Sequence, residues 1–481
     1  MPRPTILSTM AEAVADIPDG ITFLNPGFGS GMPLNLLTAL YHQGAKDLTA
    51  VINGTVAASP DPRVKNLGDL VEAGRVRKYI SSFTAATRPS RLSKPEQMVR
   101  DGLLEVELVP QGTIAERIRA GGAGIPAFYT PAGVGTMVSV DKEHREFNGR
   151  TYVLEQAIFA DYAFIRAWKA DTAGNLVFRH GARNYNPIAA MAARHTIVEV
   201  EQIVSVGELS PDEIHTPGLY VERMVQIPPD GVLYPLRASA APPPAAVEVE
   251  ATPDPPLEKR PLTRDEMSMI VGRRIPPGSV VNLGIGIPTL ASNHVPPDAG
   301  VTLTSENGVI GYGGLAAPGQ GDPEITNAGG QEVTLVPGAS FVHHADSFAL
   351  IRSGRVDVSV LGAYEVACDG SFANWRLNDL PWDNLGGIGG AMDLAACAKQ
   401  IWIVMEHTAP DARPRLLERC TLPITAPRGV TLVVTNLGVI AIREGRFVLE
   451  EFAPGYTPQE IAALTGAPLD ISPTAREVSL D

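Results

Sequence analysis

The chain of 481 residues carries 53 acidic against 39 basic side chains, a formal net charge of -14, and is 44% hydrophobic. It is long enough to fill two or more cores, and its acidity disfavours a general role on nucleic acid or an anionic membrane, surfaces that repel a negative protein. Three cysteines, Cys368, Cys397 and Cys420, without metal-ligand spacing, argue against a disulfide framework and for small core residues in a reducing compartment.

The first twenty residues, MPRPTILSTMAEAVADIPDG, lack a long apolar stretch with a small-residue cleavage site and are too acidic for a typical transit peptide, so a cytoplasmic location is expected. No uninterrupted apolar run approaches the roughly 20 residues of a membrane-spanning helix. From Asp19, DGITFLNPGFGSGMPLNLLTAL reads as a strand, a glycine-rich loop and a helix. LEVELVPQGTIAERIRAGGAG alternates as a strand through Val109. The spacing Thr113-x-x-Glu116 then predicts a capping box, closed by Gly121-Gly122. Gln111 falls in this strand-to-helix corner, where its amide bonds either a substrate oxygen or local backbone.

From Arg237 to Arg260 prolines, alanines and acids cluster, which predicts an exposed connector. The expected organisation is therefore one α/β domain over residues 1–237, a Pro/Ala-rich linker over 238–262, and a second α/β domain over 263–481. Thr263-x-x-Glu266 has capping-box spacing and marks a helix running towards Arg273. Next, PGSVVNLGIGIPTLASNHV repeats the strand, glycine loop and helix seen near Asp19. Such loops hold anionic groups on backbone N–H donors in some α/β proteins and serve packing in others.

TLTSENGVIGYGG follows, placing Glu306 between a short β-branched strand and a glycine-rich turn at Asn307-Gly308. In open α/β sheets, ligands meet catalytic loops at such strand ends, whereas a carboxylate beside an Asn-Gly turn is ordinarily just solvated. His343-His344 is the sole adjacent histidine pair; on a strand the two rings face opposite ways, which disfavours a joint metal site. Last, NLGGIGGAMDLAACAKQ leads two glycine pairs into a helix, leaving the N–H groups of Gly390 and Ala391 as first-turn donors able to stabilise an oxyanion.

Together SENGVIGYGG, LGIGIPTLASN, VELVPQGTIAERIRAGGAGIPAFYTPAGVGT, REFNGRTYVLEQA, WKADTAGNLVFR and GGIGGAMDL resemble the class I coenzyme A transferases, most of all the succinyl-CoA:3-ketoacid type. The resemblance covers nearly all of both halves. It implies an A-like half fused to a B-like half, each an open-sheet α/β domain, with a homodimer as the family's usual assembly. It further implies that Glu306 is the nucleophile, passing through an acyl-glutamyl anhydride and a glutamyl-CoA thioester in ping-pong fashion. Gln111 and the Gly390 N–H would then form the oxyanion hole. Asn53, Gly284, Gly286, Asn307, Asn374 and Gly389 are the candidate substrate- and CoA-binding positions. For Asn374 a structural amide at a strand end is the competing expectation, and for Gly284-Ile285-Gly286 it is packing.

The partners implied are an acyl-CoA and a small carboxylic acid, with no metal, redox cofactor, nucleic acid or membrane. Succinyl-CoA as donor and a 3-oxo acid such as acetoacetate as acceptor are the first expectation. Transfer to 3-oxoadipate, acetate or another short-chain acid, or acyl-CoA hydrolysis, are the alternatives. The sequence departs from the family pattern at Pro26, where a glycine is usual, at Gly54 in place of a second asparagine, at Gly330 in place of a lysine, and in a loop, GYGGLAAPGQGDPEI, without basic residues. These bear on acceptor choice, not on the nucleophile.

Overall fold

The computed structural model describes residues 4–54, 58–59, 61–84, 94–232, 259–377 and 387–480. The expected linker lies outside the described residues up to position 258.

The first half is built on a sheet of eight parallel strands in the spatial order Thr5–Leu7, Arg223–Gln226, Ala193–Val204, Ala160–Asp171, Thr22–Leu24, Leu48–Val51, Val76–Ser81 and Glu105–Leu108. The short strand Leu176–Val177 joins antiparallel to Ala160–Asp171. Parallel strands need cover on both faces, and the sequence supplies it: all four residues of Leu48–Val51 are buried. Alternate residues feed opposite cores. Phe23, Ala50 and Tyr79 enter one apolar cluster, and Leu24, Val51 and Ile80 enter the other.

The second half holds a ten-stranded sheet in the order Val333–Phe341, Val309–Leu315, Thr302–Thr304, Val280–Leu283, Val358–Leu361, Gln400–Met405, Val430–Thr435, Gly438–Arg443, Arg446–Phe452 and Leu469–Glu477. Its five central strands, Thr302–Thr304 to Val430–Thr435, run parallel. The chain leaves Val280–Leu283 for Thr302–Thr304 on one side and later returns to Val358–Leu361 on the other. In open α/β sheets, ligands bind outside the carboxyl ends of strands at such a reversal.

The predicted capping box at Thr263 is present: its side chain accepts from the Glu266 N–H and starts the helix Arg264–Arg274. The one predicted at Thr113 is not. The helix runs Gln111–Gly122 from Pro110, and buried Thr113 Oγ1 has no partner among the described residues. Proline at the cap sets an extended entry three residues earlier than the Thr-x-x-Glu spacing suggests, and the donors of the first turn are met by the other half, as described below. The left-handed residue that ends this segment is Gly124, beyond the predicted Gly121-Gly122.

The two halves share cores as well as polar contacts. Ala345 of the second half belongs to the apolar cluster that contains Leu24 and Ile118. Trp375, Ile388 and Met392 pack against Leu108 and Val138 of the first half. Glu324, with a 4% exposed side chain, ties Arg179 at 2.7 Å and Arg166 at 3.4 Å across the same junction. Among the described residues no helix is long and apolar enough to cross a membrane.

Candidate active site

Glu306 occupies the tip of a reversal. Strand Thr302–Thr304 ends there, and Gly308 N–H donates to Ser305 O at 3.0 Å while Ser305 N–H donates to Val309 O at 2.9 Å, turning the chain into Val309–Leu315. Gly308 has φ +94°, and a side chain on it would collide with the Val342 carbonyl, so only glycine closes this turn. Turn tips normally project into solvent, yet Glu306 is 6% exposed.

What covers it is the start of the helix Ala391–Cys397. A Cβ placed on Gly390 would lie 2.8 Å from Glu306 Oε1 and 3.2 Å from the Phe348 ring, so the carboxylate rests directly on that backbone. Among the described residues the Gly390 N–H makes no hydrogen bond. The Ala391 N–H, read from the sequence as a second free donor, instead donates to Ile388 O at 3.2 Å, because the glycine-rich approach closes a turn before the helix begins.

The first half meets this corner through Gln111, 1% exposed. Its backbone N–H donates to Gly389 O at 2.9 Å, and the next N–H, of Gly112, donates to Asp393 Oδ2 at 3.0 Å. Two first-turn donors of the helix Gln111–Gly122 are thus capped by the second half. A side chain on Gly112 would strike both Phe348 and Asp393. Gln111 Nε2 lies 2.8 Å from Nε2 of His344, the first residue of the helix His344–Arg352. Ser82 O accepts from the N–H groups of Ile388 and Gly389, fastening the same seam.

The electrostatics follow from this burial. Desolvation, with the nearby Asp393 charge adding to it, pushes the Glu306 carboxyl up to about 7. Burial likewise pushes Asp393 up to about 7, against the pull of Arg352. Tyr185 is raised by burial and by the negative charges of Asp393 and Glu306, which places all three in one field. Burial holds His344 well below the usual histidine range. The site therefore holds two carboxyls, a neutral imidazole and an amide in a dry seam between the halves. Among the described residues no cluster of His, Cys, Asp or Glu is arranged to hold a metal ion.

The family profile described as Coenzyme A transferase matches residues 7–226 and 264–464. The chain belongs to that family. This CoA-transferase is 39% identical over 486 residues to mitochondrial succinyl-CoA:3-ketoacid coenzyme A transferase 2 of Homo sapiens, covering 97% of this chain and 90% of that protein. It is 51% identical over 221 residues to the A-type component of the probable succinyl-CoA:3-ketoacid coenzyme A transferase of Bacillus subtilis, 46% of this chain and 89% of that one. A separate A-type polypeptide thus corresponds to about half of a chain that holds both A and B parts. In fold it is similar to the acyl-CoA transferase YdiF apoenzyme of Escherichia coli O157:H7, with a TM-score of 0.76 and 22% identity over 99% of this chain and 95% of that one.

The remaining candidate positions of the CoA-transferase fall into two groups. Asn53, at the end of Leu48–Val51, is buried and its Oδ1 accepts from Tyr185 OH at 3.0 Å; the same hydroxyl reaches Gln111 O at 3.4 Å, so Asn53 is linked to the Gln111 corner. Asn307 is buried beside Glu306, its Nδ2 donating to Thr326 O at 2.8 Å and its Oδ1 without a partner among the described residues. Gly389 supplies the carbonyl that holds Gln111. Gly284 is buried and bonded to Val360 O at 2.8 Å, just past the strand Val280–Leu283, while Ile285 is 44% exposed and Gly286 begins a short helix with nothing near its α-carbon.

Asn374 fits the structural alternative. Its Nδ2 donates to Gly362 O at 3.1 Å and its Oδ1 accepts from Thr425 at 2.7 Å, which pins the loop beyond Val358–Leu361. Gly330 is exposed in a turn with φ +75°.

Sequence reasoning missed Asp393, His344 and Tyr185. Asp393 lies inside the motif GGIGGAMDL, and a carboxylate two places beyond Ala391 on a helix that must be buried was the available signal. His343 and His344 are on a helix start and not on a strand. His343 caps it by accepting from the Asp346 N–H at 3.2 Å, which frees His344 to turn into the seam.

Proposed function

We propose that this enzyme moves coenzyme A from an acyl-CoA, succinyl-CoA in the first instance, to a 3-oxo acid such as acetoacetate, with Glu306 as nucleophile. The observation that carries this is a buried carboxylate packed on Gly390, whose N–H makes no hydrogen bond among the described residues, with Gln111 of the other half bonded to the neighbouring Gly389 carbonyl. The substrate class follows the names of the relatives. Residues 1–237 act as the A-like part, 263–481 as the B-like part, and 238–262 as their linker.

A Glu306 carboxylate oxygen attacks the acyl-CoA carbonyl, and the C–S bond breaks to release CoA thiolate and leave an acyl-glutamyl anhydride. The oxyanion formed on the way is stabilised by the Gly390 N–H and the Gln111 amide. The thiolate then attacks the glutamyl carbonyl, expelling the first acid and giving a glutamyl-CoA thioester. The acceptor carboxylate attacks that thioester, and the returning thiolate takes its acyl group, restoring Glu306. Burial serves this sequence twice: it makes the carboxylate less solvated and more nucleophilic, and it keeps water from the anhydride and thioester. The route needs no metal or redox group. Asn53, Asn307 and Gly389 shape the reacting end, and Gly284-Ile285-Gly286 lies along the approach for coenzyme A. A homodimer in the cytoplasm completes the reading.

Borohydride or hydroxylamine trapping after addition of acyl-CoA should modify Glu306 and no other carboxyl; no adduct under turnover conditions would refute the nucleophile. Glu306→Ala should abolish transfer with the fold retained, and Gln111→Ala should slow it on the order of 10²-fold. An acceptor screen with succinyl-CoA and labelled acetoacetate, 3-oxoadipate and acetate identifies the acid. Thioester loss without a new acyl-CoA would show hydrolysis instead.

A further inference from the structure

The Gln111 amide is held by one arm. Its Nε2 lies 2.8 Å from His344 Nε2, and its Oε1 is buried without a hydrogen-bond partner among the described residues. His344 is fully buried, and its Nδ1 also lacks a partner among the described residues. The ring is clamped: it stacks on Tyr185 at 4.0 Å with 20° between the planes, and the rings of Phe28 and Phe348 stand 5.5 and 5.4 Å away. Tyr185 is itself fixed through Asn53, and the His344 backbone N–H donates to Asn184 O at 2.9 Å. The imidazole has no room to turn aside.

The two arms of a primary amide have the same shape and differ only in which one donates, and a neutral imidazole offers one donor and one acceptor. The contact can therefore close in two ways. If the Gln111 NH₂ donates to a bare Nε2, the His344 proton sits on Nδ1 and the arm left for substrate is a carbonyl. If His344 Nε2–H donates to Gln111 Oε1, the arm left for substrate is the NH₂. A carbonyl arm repels the oxyanion of acyl transfer, whereas an NH₂ arm stabilises it. The second arrangement also leaves no N–H of the ring buried without an acceptor.

We propose that His344 is a positioning residue for CoA transfer: as the Nε2–H tautomer it donates to Gln111 Oε1 and turns the amide N–H toward the acyl oxygen at Glu306. The proposal rests on the reading of Gln111 as an oxyanion donor. It makes that donor a device of both halves, since the glutamine comes from the first and the ring that orients it from the second.

The test compares kcat and KM for wild type, His344→Phe, Gln111→Ala and the double variant. Phenylalanine keeps the ring and its stack on Tyr185 and removes the hydrogen bond. The expected result is a loss in kcat on the order of 10-fold, smaller than for Gln111→Ala, with KM for acyl-CoA unchanged. The double variant should be no slower than Gln111→Ala alone, because His344 acts through that side chain. His344→Asn, which restores an N–H, should recover part of the rate. Selective ¹⁵N-histidine labelling should show a neutral ring protonated at Nε2.

Wild-type kcat in His344→Phe, a loss that persists in full without Gln111, or a proton on Nδ1 would each overturn the positioning role while leaving Gln111 as donor. Wild-type kcat in Gln111→Ala would overturn both. The labelling result stands even where a substitution prevents folding.

Discussion

The Gly112 backbone N–H donates to Asp393 Oδ2 across 3.0 Å, joining the first turn of a helix in one half to a buried carboxylate in the other. Asp393→Ala removes that acceptor and leaves the N–H in a dry interior. The expected cost is about 1–3 kcal/mol in denaturant unfolding, together with a fall in kcat as the Gln111 corner loosens. Asp393→Asn keeps an acceptor oxygen but deletes a negative charge near Glu306. It should leave stability closer to wild type and move the acidic limb of the kcat/KM profile to lower pH. A limb that stays in place or moves up contradicts the coupling.

As the proposed nucleophile, Glu306 must be ionised to attack. Burial, with Asp393 adding to it, holds its carboxyl up to about 7, so the first half-reaction should fade as pH drops through about 7, where an ordinary glutamate would remain charged. Stability runs the other way. With the folded value above the unfolded one, the native state binds the proton more readily, and this contribution to stability is lost as pH rises from about 4.5 to about 7. Wild type should therefore weaken relative to Glu306→Gln across that window, by up to about 3 kcal/mol at roughly 1.4 kcal/mol per pKa unit. Denaturant unfolding of both proteins at pH 5 and pH 8 reads this; an equal gap at the two pH values argues against it.

Gly390→Ala places a methyl 2.8 Å from Glu306 Oε1 and 3.2 Å from Phe348. The carboxylate must shift from the backbone it rests on. Overpacking of this kind costs about 1–3 kcal/mol, and the larger effect should be on kcat, with trapping of the Glu306 adduct slowed in parallel. Normal trapping would show that the nucleophile does not need this contact.

Glu324→Ala removes one carboxylate from Arg166, whose side chain is 3% exposed and also pairs with Glu201 at 2.5 Å, and it takes away the Arg179 partner at 2.7 Å. Breaking a buried pair of this kind costs about 3–5 kcal/mol. Because Glu324 also accepts the Gly181 N–H through its backbone, which the substitution retains, the halves should stay in register but melt earlier. Calorimetry checks the transition and a transfer assay checks the register.

The fold was readable where one rule governed. The strand, glycine loop and helix read from Asp19 and from Pro277 are present as Thr22–Leu24 with Leu34–Gln43 and Val280–Leu283 with Ile287–Leu290, and Thr263-x-x-Glu266 marked a helix start because nothing else competes for that cap. Thr113-x-x-Glu116 misled because the helix starts at Pro110, and its first-turn donors, the N–H groups of Gln111 and Gly112, are met by Gly389 and Asp393 far along the chain in the other half, a partnership no local pattern encodes. The site was half readable for the same reason. Glu306, Gly390 and Gln111 stand at corners that local motifs mark. His344 and Asp393 gain their place only when one half closes on the other, and the Asn374 amide is claimed by Thr425 and Gly362, which a strand-end position alone does not announce.

The shared helix start at Gln111 has a consequence for how such an enzyme comes into being. The half that carries Glu306 does not contain Gln111, and Gln111 stands at a helix end left raw until that same half arrives. If Glu306 and Gln111 act together as proposed, either part alone holds a carboxylate without its amide donor or an amide with nothing to aim it, and neither is a working catalyst. Competence begins at docking, so a chain caught midway through assembly has little means of squandering thioesters.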